Sequence, residues 1–154
     1  MKPERVFDWN NLFYVCPHCN NLKKEAKYDD KIIDCCVQDP EDMIEQCYEN
    51  GHVNVYNIVD EECAIMTAEL IQDCFEKRNT GIREAACQHR IDRLADEMNV
   101  LYKTLEKHKK DPELQRYKRS LKATLSRTSI FAAFKRNYVR KHITDYPDLE
   151  EFLV

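Results

Sequence analysis

Two cysteines near the start of the chain have the spacing of metal ligands. Cys16 and Cys19 form a Cys-x-x-Cys pair, and Pro17 stiffens the turn between them. Two thiolates at this spacing can bind one tetrahedral zinc ion at about 2.3 Å each, but a closed structural site needs four ligands. The pair therefore predicts half of a zinc site, with buried structural thiols or a redox pair as the alternatives. A redox pair is disfavoured because no βαβ pattern surrounds the two cysteines.

Polar side chains lie on both sides of this pair. Asn11 precedes it, Asn20 follows it directly, and Lys23 comes soon afterwards. An asparagine can cap a turn or the start of a helix, and a lysine can be an ordinary solvated side chain. The residue types alone thus leave both structural and catalytic roles open.

The order of these residues resembles the second half of the HNH, or ββα-metal, endonuclease motif. Members of that family carry Trp-x-Asn-Leu, an apolar stretch, Cys-x-x-Cys followed by His or Asn, and then a Lys. The matching residues in this chain are Trp9, Asn11, Leu12, Cys16, Cys19, Asn20 and Lys23.

The resemblance implies a role for each polar residue of the motif. Asn11 would orient the catalytic imidazole, and Asn20 would ligate a catalytic Mg²⁺ or Mn²⁺ through its amide oxygen. Lys23 would face the scissile phosphate. Cys16 and Cys19 would hold half of a structural Zn²⁺ site. The candidate catalytic residues are therefore Asn11 and Asn20.

The first half of the family motif has no counterpart in the printed sequence. In the family, the general base is a His on the preceding strand, and a further Cys-x-x-Cys lies upstream. Residues Met1 to Phe7 contain neither His nor Cys. We therefore expect a truncated or degenerate nuclease, or one whose site another polypeptide completes. The alternative is a non-catalytic helical module that binds nucleic acid or a partner protein.

Other residues of the chain could complete the zinc site. The candidates are Cys35, Cys36, Cys47 and His52. Core packing is the expected fate of most of them, because free cysteine is among the most buried residue types.

Charge is segregated along the chain, although the formal net charge is only −4. Residues 77–141 carry 18 Lys and Arg against 7 Asp and Glu, whereas residues 1–76 carry 6 against 17. A basic helical half can follow phosphates, but it can equally form ion pairs on a solvated surface or dock against the acidic half. The candidate nucleic-acid contacts are Lys23, Lys24, Lys135, Arg136 and Arg140.

Composition predicts a mainly α-helical fold with a small N-terminal part formed by a zinc knuckle and a β-ribbon. Only two residues are Gly and 34% are charged, which is typical of helical proteins. We expect residues 1–60 to hold the knuckle and ribbon, and residues 61–154 to form a basic helical region packed with them. The ribbon would pair strands over 31–37 and 52–58, with a tight turn at Asn50-Gly51.

Capping signals and apolar periodicity place the helices. We expect one or two helical turns over 43–48 and a helix that begins at Thr67 as its N-cap. A long helix should follow over 82–109, with further helices over 113–125 and 130–140.

The stretch from Thr67 onward also resembles the helical tail of a bacterial HNH subgroup found in anti-phage defence. The matching segments are Arg78-Asn79-Thr80-Gly81-Ile82-Arg83 and Phe131-Ala132-Ala133-Phe134-Lys135-Arg136. The resemblance implies DNA as a partner, together with an ATPase of the ABC or SMC type. No apolar run is long enough to span a bilayer, so we expect a cytoplasmic protein without a membrane partner.

Overall fold

The computed structural model describes residues 17–24, 26–28, 31–76 and 81–153, and it confirms a mainly helical fold with a small antiparallel ribbon. The described α-helices are α1 (Pro17–Lys23), α2 (Glu62–Glu76), α3 (Gly81–Lys110), α4 (Gln115–Thr124) and α5 (Ala132–Lys141). The ribbon pairs β1 (Ile44–Glu49) with β2 (His52–Asn57). Short 3-10 helices lie at Ala26–Tyr28, Pro40–Asp42 and Pro147–Phe152. No described helix combines the length and apolar character needed to cross a membrane.

The tight turn of the ribbon is confirmed. Asn50 and Gly51 both have positive φ angles, of 53° and 82°. A two-residue hairpin turn of type I′ needs a positive φ at both central positions, which Asn and Gly tolerate best. The turn therefore pairs β2, the predicted second strand, with the residues that immediately precede Asn50.

The first strand differs from the prediction, because β1 occupies Ile44–Glu49 and the helical turns expected over 43–48 do not form. The strand predicted over 31–37 is also wrong. That segment forms turns, in which the Asp34 carbonyl accepts hydrogen bonds from the backbone N–H groups of Val37 and Gln38. The Asp34 carboxylate accepts a further bond from Cys36 N at 3.0 Å. This local pairing competes with a strand, as is common for Asp.

Side-chain amides contact both outer edges of the ribbon. Val55 N donates to Gln72 Oε1 at 2.9 Å. Asn137 Nδ2 donates to the Gln46 carbonyl at 3.0 Å. Both backbone groups are thereby satisfied without a further strand.

The chain divides into two compact units that do not follow chain order. The first unit combines the described residues up to Ile44 with Val55–Cys87. The second unit combines Glu45–Asn54 with the described residues from Gln88 onward. The ribbon and α3 each contribute to both units.

The first unit is built around α2 and a small apolar core. Its buried members are Ile33, Met43, Ile44, Ala64 and Ala68.

Thr67 lies inside α2 rather than at its N-cap, so the predicted start of this helix is wrong. Thr67 Oγ1 donates to the Cys63 carbonyl at 2.7 Å and accepts from Ile33 N at 2.8 Å. This hydroxyl therefore ties the turn segment to α2 instead of starting the helix.

The second unit is built around α3, which confirms the long helix predicted over 82–109. Leu94, Met98, Leu101 and Leu105 are buried at helical spacing and form its apolar stripe. The predicted helices over 113–125 and 130–140 are observed as α4 and α5, with slightly different ends.

Candidate functional site

Helix α1 begins at Pro17, between the two cysteines in the sequence, and has one buried side and one accessible side. Successive side chains of a helix turn by about 100°, so Asn20 and Lys23 share one side while His18 and Leu22 share the opposite side. Lys24 directly follows the helix. Leu22 is fully buried, and α1 packs on α2. Lys23 and Lys24 are exposed, and Asn20 is partly exposed. The apolar side thus anchors α1, and the amide and ammonium groups stay accessible.

His18 provides a second anchor, which the sequence did not reveal. Its Nε2 lies 3.2 Å from the Cys74 carbonyl and 3.8 Å from Cys87 Sγ. The Cys87 thiol also donates to the Cys74 carbonyl, at 3.6 Å. An Nε2–H imidazole that donates to this carbonyl fixes the N-terminal turn of α1 against the buried end of α2. The two contacts of His18 join residues 56 and 69 positions apart, and no local pattern predicts them.

The segment that follows α1 is also tied to α2. Tyr28 is fully buried, and its hydroxyl donates to Asp73 Oδ2 at 2.7 Å. Lys27 Nζ lies 3.2 Å from the same carboxylate oxygen and 3.5 Å from Glu69. Burial raises the pKa of Tyr28 to about 12, so the phenol stays protonated and keeps donating. α1 is thus held at both of its ends.

The zinc prediction can be compared with the structure only in part. Asn11 and Cys16 lie outside the described residues, and Cys19 is partly buried on α1. Within the part of the chain that the structure describes, no three His, Cys, Asp or Glu side chains are placed to hold one metal ion. The expected contribution of Cys16 and Cys19 to a Zn²⁺ site therefore stays a prediction.

The four residues suggested to complete the zinc site have other surroundings. Cys35, Cys36 and His52 are exposed. Cys47 is buried, and its thiol lies 3.2 Å from the Lys141 ammonium and 3.1 Å from Glu45 Oε1. Burial raises the pKa of the Cys47 thiol, which keeps it protonated.

A catalytic Mg²⁺ or Mn²⁺ would find one candidate ligand on α1. Asn20 could offer its amide oxygen, but such ions take about six oxygen ligands, usually with carboxylates among them. No cluster of carboxylates accompanies Asn20 within residues 17–24, 26–28, 31–76 and 81–153. These described residues alone do not fit a complete catalytic metal site.

Lys135 was predicted to meet phosphate, but its side chain is 1% exposed. Its ammonium lies 3.1 Å from Glu97 Oε2 on α3. A lysine buried in this way is accommodated by its carboxylate partner. The Lys135 ammonium is therefore not accessible to phosphate, contrary to the prediction.

The phosphate contact predicted for Arg136 is also wrong, because its side chain is 1% exposed. Its guanidinium donates to the backbone carbonyls of Leu125, Phe152 and Leu153. The planar fork with five N–H donors suits this task, because it can satisfy several acceptors at once. Arg136 therefore joins the end of α4 to the C-terminal segment.

Several other basic residues of the helical half are paired within the chain. Arg140 is partly buried and has partners within the chain. Among the described ion pairs are Lys109 with Asp145 at 2.8 Å, Lys118 with Asp148 at 3.3 Å, and Lys141 with Glu45. The excess of basic residues over 77–141 thus overstates the free positive charge of this half.

Comparisons with known proteins give no match: no family model, no curated protein and no solved structure is similar to this chain. The HNH resemblance therefore rests on the motif residues themselves.

Proposed function

We propose that this chain is an HNH-type, metal-dependent endonuclease that hydrolyses phosphodiester bonds of nucleic acid, with DNA as the expected substrate. The observation that supports the proposal is the arrangement of α1. Asn20 and Lys23 share its accessible side, while Leu22 is buried on the other side. In the proposed reaction, the Asn20 amide would ligate the metal and Lys23 would face the phosphate. Both groups must reach the same substrate, and their position on one side of α1 allows this.

Each accessible residue would have a distinct task in this reaction. Asn20 would provide one oxygen ligand to the divalent ion, which supplies charge stabilisation at the scissile phosphate when bound. Lys23 and Lys24 would offset the negative charge of the phosphates and hold the strand. His18 would act as a positioning residue, because its ring is engaged with Cys74 and Cys87 on the anchored side.

The test is nicking of a supercoiled plasmid by the purified chain in Mg²⁺ or Mn²⁺. We expect Asn20→Ala to lower the rate by about 10²-fold or more, as loss of one electrostatic contact to the transition state does elsewhere. Asn21→Ala is the matched control, because Asn21 is the neighbouring asparagine on α1 and is exposed. Absence of nicking with both ions, or equal nicking by wild type and Asn20→Ala, would refute the proposal.

A second function follows from the exposed Lys23 and Lys24, whose ammonium groups could contact phosphates without a catalytic metal. In this case the chain binds nucleic acid, or an ATPase of the ABC or SMC type, without cutting. DNA binding at low salt, where phosphate contacts are strongest, together with no nicking in either ion would support this function.

A further inference from the structure

The second unit contains an open cavity with a volume of about 600 Å³. Its walls come from the turn of the ribbon and from residues of α3 and α5. Small-molecule sites in proteins have volumes of roughly 300–1,000 Å³, so this cavity is large enough for one drug-sized or nucleoside-sized ligand. The function proposed above makes no use of it.

Aromatic side chains form a large part of the cavity wall. Tyr102 and Tyr138 lie with ring centroids 4.7 Å apart, and His142 stacks on Tyr138 at 4.2 Å with an interplanar angle of 26°. Phe134, which is buried, and Tyr48 also line the space. Because the rings already pack on one another, little ordering is needed before a flat ligand binds against them.

The phenols of Tyr102 and Tyr138 stay protonated near pH 7. Burial raises the pKa of Tyr102 to about 12 and also raises the pKa of Tyr138. These two rings therefore present no negative charge that would repel an electron-rich ring.

The cation in the cavity wall is already balanced by carboxylates. The Lys141 ammonium pairs with Glu45, and Glu49 Oε1 lies 3.9 Å away. A phosphate at this position would have to compete with both carboxylates for one ammonium. The cavity therefore favours an uncharged ligand.

Two asparagines line the cavity from different elements. Asn50 lies in the ribbon turn and Asn99 on α3, and both side chains are exposed. A primary amide carries both a donor and an acceptor, the pattern that matches the edge of a nucleobase. Asn137 differs from them, because its amide is committed to the Gln46 carbonyl and the Glu45 carboxylate.

We propose that this cavity binds an unpaired nucleobase, which packs against the tyrosine wall and pairs with the amides of Asn50 and Asn99. Stacking on aromatic rings together with hydrogen bonding to the base edge is a common way of recognising unstacked bases. The inference rests on the proposed function only in that a nucleic acid strand would supply the base. The site itself uses no residue of α1.

The test uses the full chain without divalent metal. The probes are the four deoxynucleosides, a single-stranded oligonucleotide and its duplex, with binding measured by calorimetry and ligand-observed NMR. We expect Asn99→Ala and Tyr102→Leu each to weaken binding of the preferred nucleoside about tenfold. Asn99 is exposed, so its variant should keep the fold even if Tyr102→Leu does not. Asn21→Ala, outside the cavity, should bind as wild type does.

The two possible sources of the base give different results. Stronger binding of the single strand than of the duplex, weakened by both cavity variants, supports a base within a strand. Nucleoside binding without any single-strand preference supports the same cavity but indicates a free nucleoside as its ligand. If neither nucleosides nor single strands bind, or if Asn99→Ala and Tyr102→Leu bind as wild type does, the inference is overturned.

Failure of this inference can be told apart from failure of the nuclease proposal. Asn20→Ala should bind nucleosides normally, so a chain that binds bases but never nicks DNA loses only the proposed activity. If the chain nicks DNA but binds no base, only the proposal for the cavity is overturned.

Discussion

Two adjacent basic residues lie at the end of α1, where Lys24 directly follows the helix, and two lie within α5, and the two pairs differ in exposure. Lys23 and Lys24 are exposed beside the fully buried Leu22. Lys135 and Arg136 are each 1% exposed, and their charged groups contact acceptors inside the second unit. The comparison shows that two adjacent basic residues on an amphipathic helix do not by themselves indicate an exposed charged surface, because Lys135 and Arg136 are buried against acceptors of the same unit.

The buried cations depend on acceptors that come from distant parts of the chain. Arg136 contacts carbonyls at Leu125, Phe152 and Leu153, and Lys135 contacts Glu97. A buried charge without a partner is strongly destabilising, so the folded state requires these contacts. Lys23 and Lys24 are exposed, so water can solvate their ammonium groups and the fold does not require a buried acceptor for them.

The largest expected effect is that of Arg136→Ala. Three carbonyls lose their charged donor, and a cavity is left in the core. We expect the free energy of unfolding to fall by about 3–5 kcal/mol, measured from urea denaturation midpoints. Arg119→Ala on α4 and Lys23→Ala on α1 are exposed controls and should each change it by less than about 0.5 kcal/mol. Equal midpoints for Arg136→Ala and the controls would remove the distinction between the two helices.

The pair formed by Glu97 and Lys135 should respond asymmetrically. Glu97→Ala leaves a lysine that is 1% exposed without its carboxylate, whereas Lys135→Met leaves a glutamate that is 31% exposed and can be hydrated. We expect a loss of about 3 kcal/mol for Glu97→Ala and about 1 kcal/mol or less for Lys135→Met. The same denaturation experiment measures both variants. A larger loss for Lys135→Met would mean that packing of the lysine stem, rather than its charge, governs this position.

The smallest expected effect concerns the partly exposed pair of Glu45 and Lys141. Hydrogen bonding from Lys141 lowers the pKa of Glu45 below its ordinary value of 4.5. A lowered carboxyl pKa stabilises the folded state above pH 4.5, and this contribution is lost as the pH falls through the folded-state value. The pKa of Lys141 is raised, so its own contribution is complete at neutral pH and is lost only above pH 10.5.

Glu45→Gln should therefore flatten the acid side of the stability curve between about pH 5 and pH 3. Because the Lys141 side chain is 43% exposed, solvent screens the pair, and we expect a difference of less than about 1 kcal/mol. Urea denaturation of wild type and variant at both pH values measures it. Parallel pH dependences of the two proteins would show that this pair adds nothing measurable.

The sequence predicted the helical half better than the region before α2. The apolar stripe of α3 and the Asn50-Gly51 turn are local signals, and both lead to the observed elements. The segment over 31–37 was misassigned because its apolar residues suggested a strand, while the Asp34 side chain and carbonyl close turns there. Thr67 is a residue type that often caps helices, but here its hydroxyl accepts a hydrogen bond from Ile33 N. Only the tertiary structure brings this partner close.

The roles of Asn20 and Lys23 were predicted from their order after Cys19, and these roles stay predictions. Helix α1 places both residues on one side. The anchoring of His18 by Cys74 and Cys87 and the assembly of Tyr48, Tyr102 and Tyr138 around a cavity depend on long-range packing. No spacing rule connects such positions, so sequence patterns could not reveal them.

The amides of Gln72 and Asn137 have a consequence for the behaviour of the protein in concentrated solution. A two-stranded ribbon has two open edges, each of which can template a strand from another molecule. Here a backbone donor of Val55 and a backbone acceptor of Gln46 are already occupied. Both edges are thereby partly shielded from intermolecular strand addition, which protects this small sheet against becoming a seed for aggregation.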